Sequence, residues 1–201
     1  GRLGQKVYRL FEQAGFSHPD ALSDSRRLIF TDSGKRVSFF WVKPSDVAVY
    51  VERGAADIGI CGKDILLEHR PDVFELLDLR TGLCRMSVAG PEGFQDDPSK
   101  TLVVATKFGN IASGYFASKG RDIDIVDLNG SIELAPLLGL SDVIVDIIET
   151  GSTLKANGLV ELEKISDISA RLISNKAAYN FKTETISSIT DALKQQLGRI
   201  K

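Results

Sequence analysis

The sequence predicts an α/β protein of two lobes with a ligand cleft between them. Short β-branched runs alternate with amphipathic segments along most of its 201 residues, as when strands carry helices on their faces. That length allows one large domain or two small ones. Residues 90–100 hold two Pro and two Gly without a sustained apolar pattern, which reads as a loop near a domain junction.

Residues 3–14 open the chain as an amphipathic helix. Leu3, Val7, Leu10, Phe11 and Ala14 share one stripe, and Gly15 ends it. Apolar runs at 27–30 and 37–42 flank Asp32-Ser33-Gly34-Lys35 and read as a hairpin. Pro44-Ser45-Asp46 starts a helix that buries Val47, Tyr50 and Val51 and stops at Gly54. A strand at 56–61 turns through Gly62-Lys63-Asp64 into a short helix, and strands follow at 73–79 and 85–89. Beyond the junction, strands at 102–105, 123–128 and 143–148 alternate with helices at 112–118, 132–138 and just past 150. Such alternation predicts a parallel sheet covered on both faces. Segments 159–165 and 168–173 read as further strands, and 182–197 as a closing helix with Ile186, Ile189, Leu193 and Leu197 on one side. The expected division is 1–88 plus 169–201 for the first lobe and 89–168 for the second.

Composition excludes several classes. The net charge is −2, without the basic excess of a nucleic-acid binder. Hydrophobic residues at 43% and charged residues at 26% argue against disorder. No apolar run approaches the ~18 residues of a spanning helix, and no signal peptide is visible, so a cytoplasmic location is expected. Two cysteines, Cys61 and Cys84, are too few for a disulfide scaffold and read as reduced, Cys61 as packed. His18 and His69 lack partners at ligand spacing, so no zinc site is expected.

The strongest chemical signal is the strand 143–148 running into Glu149-Thr150-Gly151-Ser152-Thr153 and a helix start. Glycine lets backbone approach an anion closely. Backbone N–H groups and hydroxyls at a helix N-terminus make a phosphate cradle. Asp146 and Glu149 flank it; carboxylates there suit sugar hydroxyls or magnesium, because they repel a bare phosphate. An ordinary N-cap by Thr150 or Ser152 is the simpler alternative. No Walker loop and no Gly-x-Gly-x-x-Gly fingerprint occurs, so the cradle suits a phosphosugar better than a nucleotide. Asn129-Gly130-Ser131 is a turn in which Ser131 is placed to cap the next helix, with Glu133 in its first turn. Both loops are expected at one carboxyl edge of the sheet, where ligands bind. Lys63 and Lys107 follow strands and are placed to meet an anion.

Asp146-Ile147-Ile148-Glu149-Thr150-Gly151-Ser152-Thr153-Leu154, preceded by Asn129-Gly130-Ser131-Ile132-Glu133-Leu134-Ala135-Pro136, resembles the signature of the ATP phosphoribosyltransferases. Pro44-Ser45-Asp46-Val47, Gly54-Ala55-Ala56-Asp57-Ile58-Gly59-Ile60, Gly62-Lys63-Asp64, Cys84-Arg85 and Val104-Ala105-Thr106-Lys107 extend the resemblance over nearly the whole chain. Family members begin with a short strand ending in Lys-Gly-Arg. Gly1-Arg2-Leu3 is similar to the tail of that motif, so one core strand is expected to precede this sequence. Many members carry Pro-Asn and a pair of arginines where this chain reads Phe108-Gly109-Asn110-Ile111-Ala112-Ser113-Gly114-Tyr115-Phe116. The end at Lys201 resembles the family's short form.

The resemblance implies a two-lobed fold like the type II periplasmic binding proteins. It implies transfer of the phosphoribosyl group of 5-phosphoribosyl 1-pyrophosphate to N1 of ATP, the first step of histidine biosynthesis. Thr150, Gly151, Ser152 and Thr153 would hold the 5-phosphate, and Asp146 and Glu149 the ribose. Arg2, Arg26, Lys63 and Arg85 become candidates for the pyrophosphate or ATP phosphates. Magnesium would ride on the substrates, without a dedicated protein site. The implied partner is a regulatory subunit similar to histidyl-tRNA synthetase, in a hetero-octamer. Two other readings are a salvage-type phosphoribosyltransferase and a non-catalytic two-lobed binding module. Salvage enzymes usually carry adjacent acids in the loop, whereas Ile147-Ile148 separates Asp146 from Glu149.

Overall fold

The structure, a computed structural model, describes residues 2–23, 26–32, 34 and 36–199. It divides into two compact units: Gly1–Ile65, Pro71–Gly82 and Ser169–Lys201 form the first, and Leu66–Arg70 and Leu83–Ile168 the second.

Helix α1 (Arg2–Gln13) opens the first unit. It ends as its sequence dictates. Gly15 takes φ +89°, Phe16 N–H donates to Phe11 C=O and Gly15 N–H to Glu12 C=O. This Schellman pair satisfies carbonyls the helix would leave orphaned. Strands β1 (Ile29–Thr31) and β2 (Ser38–Phe40) form the expected hairpin, pairing Ile29 with Phe40. Buried Asp32 holds its turn, accepting the N–H groups of Gly34, Arg36 and Val37. The Val37 bond above all, against the opposing effect of burial, holds its carboxyl below the usual range.

Helix α2 (Pro44–Glu52) starts with proline, whose missing N–H costs nothing in a first turn. Its buried face is Ala48 and Val51; Tyr50 stays 41% exposed, contrary to the predicted stripe. Val47, Ala48 and Val51 lie at i, i+1 and i+4, which turns Tyr50 off that face. Strand β3 (Ile58–Gly62) meets α2 at Gly59, where a Cβ would lie 2.6 Å from Val51. Helix α3 (Lys63–His69) and strand β4 (Val73–Asp78) follow.

The second unit is built on β5 (Cys84–Pro91), β6 (Leu102–Thr106), α4 (Gly109–Ser118), β7 (Ile123–Asp127), α5 (Leu134–Leu137), β8 (Val143–Ile148), α6 (Ser152–Ala156) and β9 (Leu159–Ile168). The sheet order is β7-β6-β8-β5-β9. β6 runs parallel to β7 and β8, while β5 is antiparallel to β8 and β9. The predicted all-parallel sheet is therefore mixed, with β5 reversed. A strand buried on both faces reads the same in either direction, so the pattern could not show this. Both faces are indeed covered. Val143 and Val145 pack with Met86, Phe108 and Phe116. Ile144 and Ile148 point the other way, to Ala135, Leu154 and Leu159.

The chain then returns to the first unit as β10 (Ala170–Asn175), α7 (Lys176–Phe181) and α8 (Thr183–Arg199). β10 lies between β3 and β4, antiparallel to both. Leu172 and Leu79 pack there against α1 and α8 through Val7, Phe11, Ile189 and Leu193. Helix α7 is an element the sequence pattern does not predict. The division also differs from the expected 88/89 boundary, because β5 is hydrogen-bonded wholly within the second unit. Residues 90–100 end β5 and link it to β6 rather than joining units. The last crossing, from Ile168 to Ser169, follows one strand directly into the next and carries no Gly or Pro.

Candidate active site

Parallel strands deliver their carboxyl ends to one edge. β6, β7 and β8 thus bring together Lys107, the turn 128–133 and the loop 149–151. Asp146 lies two residues before the end of β8, on the face it shares with Ile144 and Ile148. Its Oδ1 accepts the Ile147 N–H at 2.8 Å and lies 3.6 Å from Lys107 Nζ. Burial pushes the Asp146 carboxyl up; Lys107 and the Ile147 N–H pull it back, and Glu133 adds a further push upward. Glu133 therefore belongs to the electrostatics of this edge.

Two bonds set the turn carrying Lys107. Buried Thr106 donates its hydroxyl to the Val145 carbonyl at 2.6 Å and accepts the Phe108 N–H at 2.9 Å. Buried Glu68, from α3, accepts the N–H groups of Asn110 and Ile111 at 2.9 and 3.0 Å. It supplies from a distance the cap that α4 lacks, since Phe108 offers no side-chain bond.

After β8 the chain turns sharply. Gly151 takes φ +75° as the N-cap of α6, a conformation that favours glycine. Thr150 Oγ1 lies 2.9 Å from Ser152 Oγ and accepts the Ser152 N–H at 3.3 Å. Thr150 therefore performs part of the capping offered by the simpler reading. The side chains of Glu149, Thr150, Ser152 and Thr153 remain exposed, while Leu154 anchors the helix in the core. The turn thus presents hydroxyls and first-turn N–H groups to solvent, as an anion site requires.

Ser131 departs from its predicted capping role. It sits at φ +50°, and the N-cap of α5 is Glu133, without a side-chain bond. The basic candidates fall in both units. Arg85 Nε and Nη2 grip Glu161 at 2.5–2.8 Å, and Nη1 reaches the Glu149 carbonyl at 3.4 Å. Lys63 pairs with Glu75 at 2.5 Å in the first unit. Arg26 is exposed in the same unit. Arg2 begins α1, but its side chain lies outside the described residues. The sequence assigns no role to Glu68, Ser87, Thr106 or Glu161.

The first unit also holds a cavity of about 380 Å³ lined by α1, β2, α2 and β3, including Val7, Phe11, Trp41 and Ile60. Among the described residues no charged side chain lines it, so these offer little to a phosphorylated substrate. The polar edge of the second unit is the better candidate.

The family model described as HisG, ATP phosphoribosyltransferase, matches residues 43–195. The chain belongs to the ATP phosphoribosyltransferase family. The match takes in Lys63, Arg85, Lys107, Glu133 and the whole of 146–153, but not Arg2 or Arg26. The ATP phosphoribosyltransferase of Brachyspira hyodysenteriae is 54% identical over 198 residues, 98% of this chain and 96% of that one. The one from Caldanaerobacter subterraneus is 52% identical over 199 residues, 98% and 94% of the two chains. Among solved structures, the ATP phosphoribosyl transferase (HisG:HisZ) complex from Thermotoga maritima matches with a TM-score of 0.84 at 38% identity. That match covers 99% of this chain and 95% of the other. The likeness confirms the two-domain, type II periplasmic-binding-like fold expected of an ATP phosphoribosyltransferase.

Proposed function

We propose that this chain catalyses the family reaction, the first step of histidine biosynthesis, with the carboxyl edge of β6, β7 and β8 as its phosphoribosyl site. Adenine N1 of ATP attacks C1 of 5-phosphoribosyl 1-pyrophosphate, and pyrophosphate leaves with the electrons of the broken C–O bond. The observation that carries this placement is Gly151, left-handed at the start of α6, with exposed Thr150, Ser152 and Thr153 around it. This turn would hold the 5-phosphate through hydroxyls and backbone N–H groups. Asp146 and Glu149 would orient the ribose hydroxyls, and an ionised Asp146 would favour positive charge developing on the ring. Lys107 helps keep Asp146 ionised against its burial. The nucleophile needs no strong base, so the work is positioning and electrostatics.

Magnesium would enter as part of the substrate, on pyrophosphate oxygens, as is usual for this ion. Among the described residues no three His, Cys, Asp or Glu side chains gather as a metal group. No described helix is long and apolar enough to cross a membrane. We place the enzyme in the cytoplasm, assembled with a regulatory subunit similar to histidyl-tRNA synthetase in a hetero-octamer. The complex to which the chain is similar supports that partnership. The test is turnover with ATP and 5-phosphoribosyl 1-pyrophosphate, with and without that subunit. Pyrophosphate release with formation of phosphoribosyl-ATP is expected. Release only with free purine or pyrimidine bases would overturn the reading in favour of a salvage enzyme.

A further inference from the structure

We infer that Arg85, gripped by Glu161, is a positioning residue that braces the phosphoribosyl loop from behind, and that it is not a ligand of substrate phosphate. This rests on placing the phosphoribosyl site at the 149–153 loop. β5 lies between β8 and β9, and Arg85 pairs across the ladder with Ile148, the last residue before the loop. Glu161, on β9, takes Arg85 Nε through both oxygens, at 2.7 and 2.8 Å, and Nη2 at 2.5 Å. Ser87, fully buried on β5, donates its hydroxyl to Glu161 Oε1 at 2.7 Å and fixes the carboxylate's rotamer. Held this way, the guanidinium has Nη1 left to meet the Glu149 carbonyl at 3.4 Å. A continuous chain therefore runs Ser87–Glu161–Arg85–Glu149, from β5 to β9, back to β5 and on to the loop.

The charge balance supports a brace. Glu161 neutralises Arg85 and holds two of its three nitrogens, so little of the guanidinium's attraction remains for a pyrophosphate. The planar fork instead carries a fixed geometry from one strand to the backbone beyond its neighbour. Glu149 is the residue whose carbonyl is held and whose side chain faces solvent, so the brace fixes the direction in which the loop's first acid points.

The experiment compares Arg85→Ala, Arg85→Lys, Glu161→Gln and the Arg85→Ala/Glu161→Gln double variant in the full chain assembled with its regulatory subunit. Each single variant is expected to raise KM for 5-phosphoribosyl 1-pyrophosphate roughly five- to tenfold, the effect of a loosened hydrogen bond, with KM for ATP unchanged. The double variant should do no more than either single one, because both residues belong to one chain of contacts. Lysine should not rescue, since it lacks the fork. If Arg85 binds phosphate directly, Glu161→Gln frees it and lowers or preserves KM while Arg85→Ala raises it; that result overturns the inference, as do effects that multiply in the double variant. Amide hydrogen exchange at 149–153 without substrate reads the brace independently of catalysis. It should quicken equally in Arg85→Ala and Glu161→Gln, and unchanged exchange overturns the inference even where turnover is normal. A wild-type chain that transfers no phosphoribosyl group would instead count against the proposed function alone.

Discussion

Lys107 Nζ lies 3.6 Å from Asp146 Oδ1, at the ends of two neighbouring parallel strands. The pair is incomplete as a counter-charge. Burial, the largest influence on Asp146, still leaves its carboxyl above the ordinary range. A partly buried acid kept at such a cost to folding is typical of a site selected for chemistry.

The first prediction is a trade of activity for stability. With its pKa raised in the folded state, Asp146 makes the protein lose stability as pH climbs from the ordinary carboxylate value through the folded one. Over that window the unfolded chain has already released the proton that the folded chain retains. Asp146→Asn removes the penalty while keeping an oxygen for the Ile147 N–H. At pH 7 it should raise the melting temperature, by about 2–4 °C for each kcal/mol relieved, and abolish most turnover. The gain should vanish below the ordinary carboxylate pKa. A melting temperature lowered at pH 7, or a gain independent of pH, would show that burial is not what Asp146 opposes.

Much of this candidate site is legible in the sequence because its residues are consecutive. Asp146 to Thr153 arrive as a strand, a glycine turn and a helix start, and parallel β6, β7 and β8 carry Lys107 and Glu133 to the same edge. The supporting contacts were not legible. Arg85 and Glu161 stand 76 residues apart, and Glu68 and Asn110 stand 42 apart; no local spacing announces such pairs. Arg85, a candidate for the substrate phosphates by resemblance and charge, is half of an ion pair with Glu161. Helix α7 escaped for a different reason. Asn175 caps it by accepting the Ala178 N–H, but none of its six residues is buried, so it has no apolar stripe.

Thr153 should be separable from the fold. Its side chain is exposed, while Leu154 beside it anchors α6. Thr153→Ala should weaken 5-phosphoribosyl 1-pyrophosphate binding by roughly ten- to a hundredfold, the loss of one hydrogen bond to a charged group, with the melting temperature unchanged. Gly151 is a poorer probe. At φ +75° any Cβ is strained, by about 1–2 kcal/mol, so Gly151→Ala should lose stability as well as binding. Titration calorimetry with melting curves on both variants checks this; equal affinity for Thr153→Ala and wild type would remove the hydroxyl from the phosphate site.

Glu68 should behave oppositely, as a structural acid with an effect at a distance. Removing it takes the acceptor from the buried Ile111 N–H and from the part-buried Asn110 N–H. Glu68→Ala should cost about 2 kcal/mol, the upper range for a lost cap, and lower the melting temperature by about 4–8 °C. Because the same turn carries Lys107, kcat should also fall in the folded fraction. Chemical denaturation combined with steady-state rates would detect both, and full stability in Glu68→Ala would mean that water replaces the carboxylate.

Cysteine labelling offers a test of burial in the first unit. Burial pushes the Cys61 thiol up to about 12, and only thiolate reacts with an alkylating agent. At pH 8, iodoacetamide should modify half-buried Cys84 first and reach Cys61 only on unfolding. Mass spectrometry after limited labelling reads the order, and early modification of Cys61 would contradict its burial on β3.

Glu149 separates ribose orientation from metal binding. Its side chain is exposed, its carbonyl is held by Arg85, and no metal group of three acids, His or Cys forms among the described residues. If the carboxylate orients ribose hydroxyls, Glu149→Gln weakens a charge-assisted hydrogen bond without removing a metal ligand. Turnover should then fall by roughly tenfold, with the magnesium concentration for half-maximal rate unchanged. The measurement is a magnesium titration of the rate at saturating ATP and 5-phosphoribosyl 1-pyrophosphate, for wild type and variant. A magnesium requirement that rises severalfold in Glu149→Gln would make this acid a ligand of the substrate-bound ion and leave Asp146 alone on the ribose.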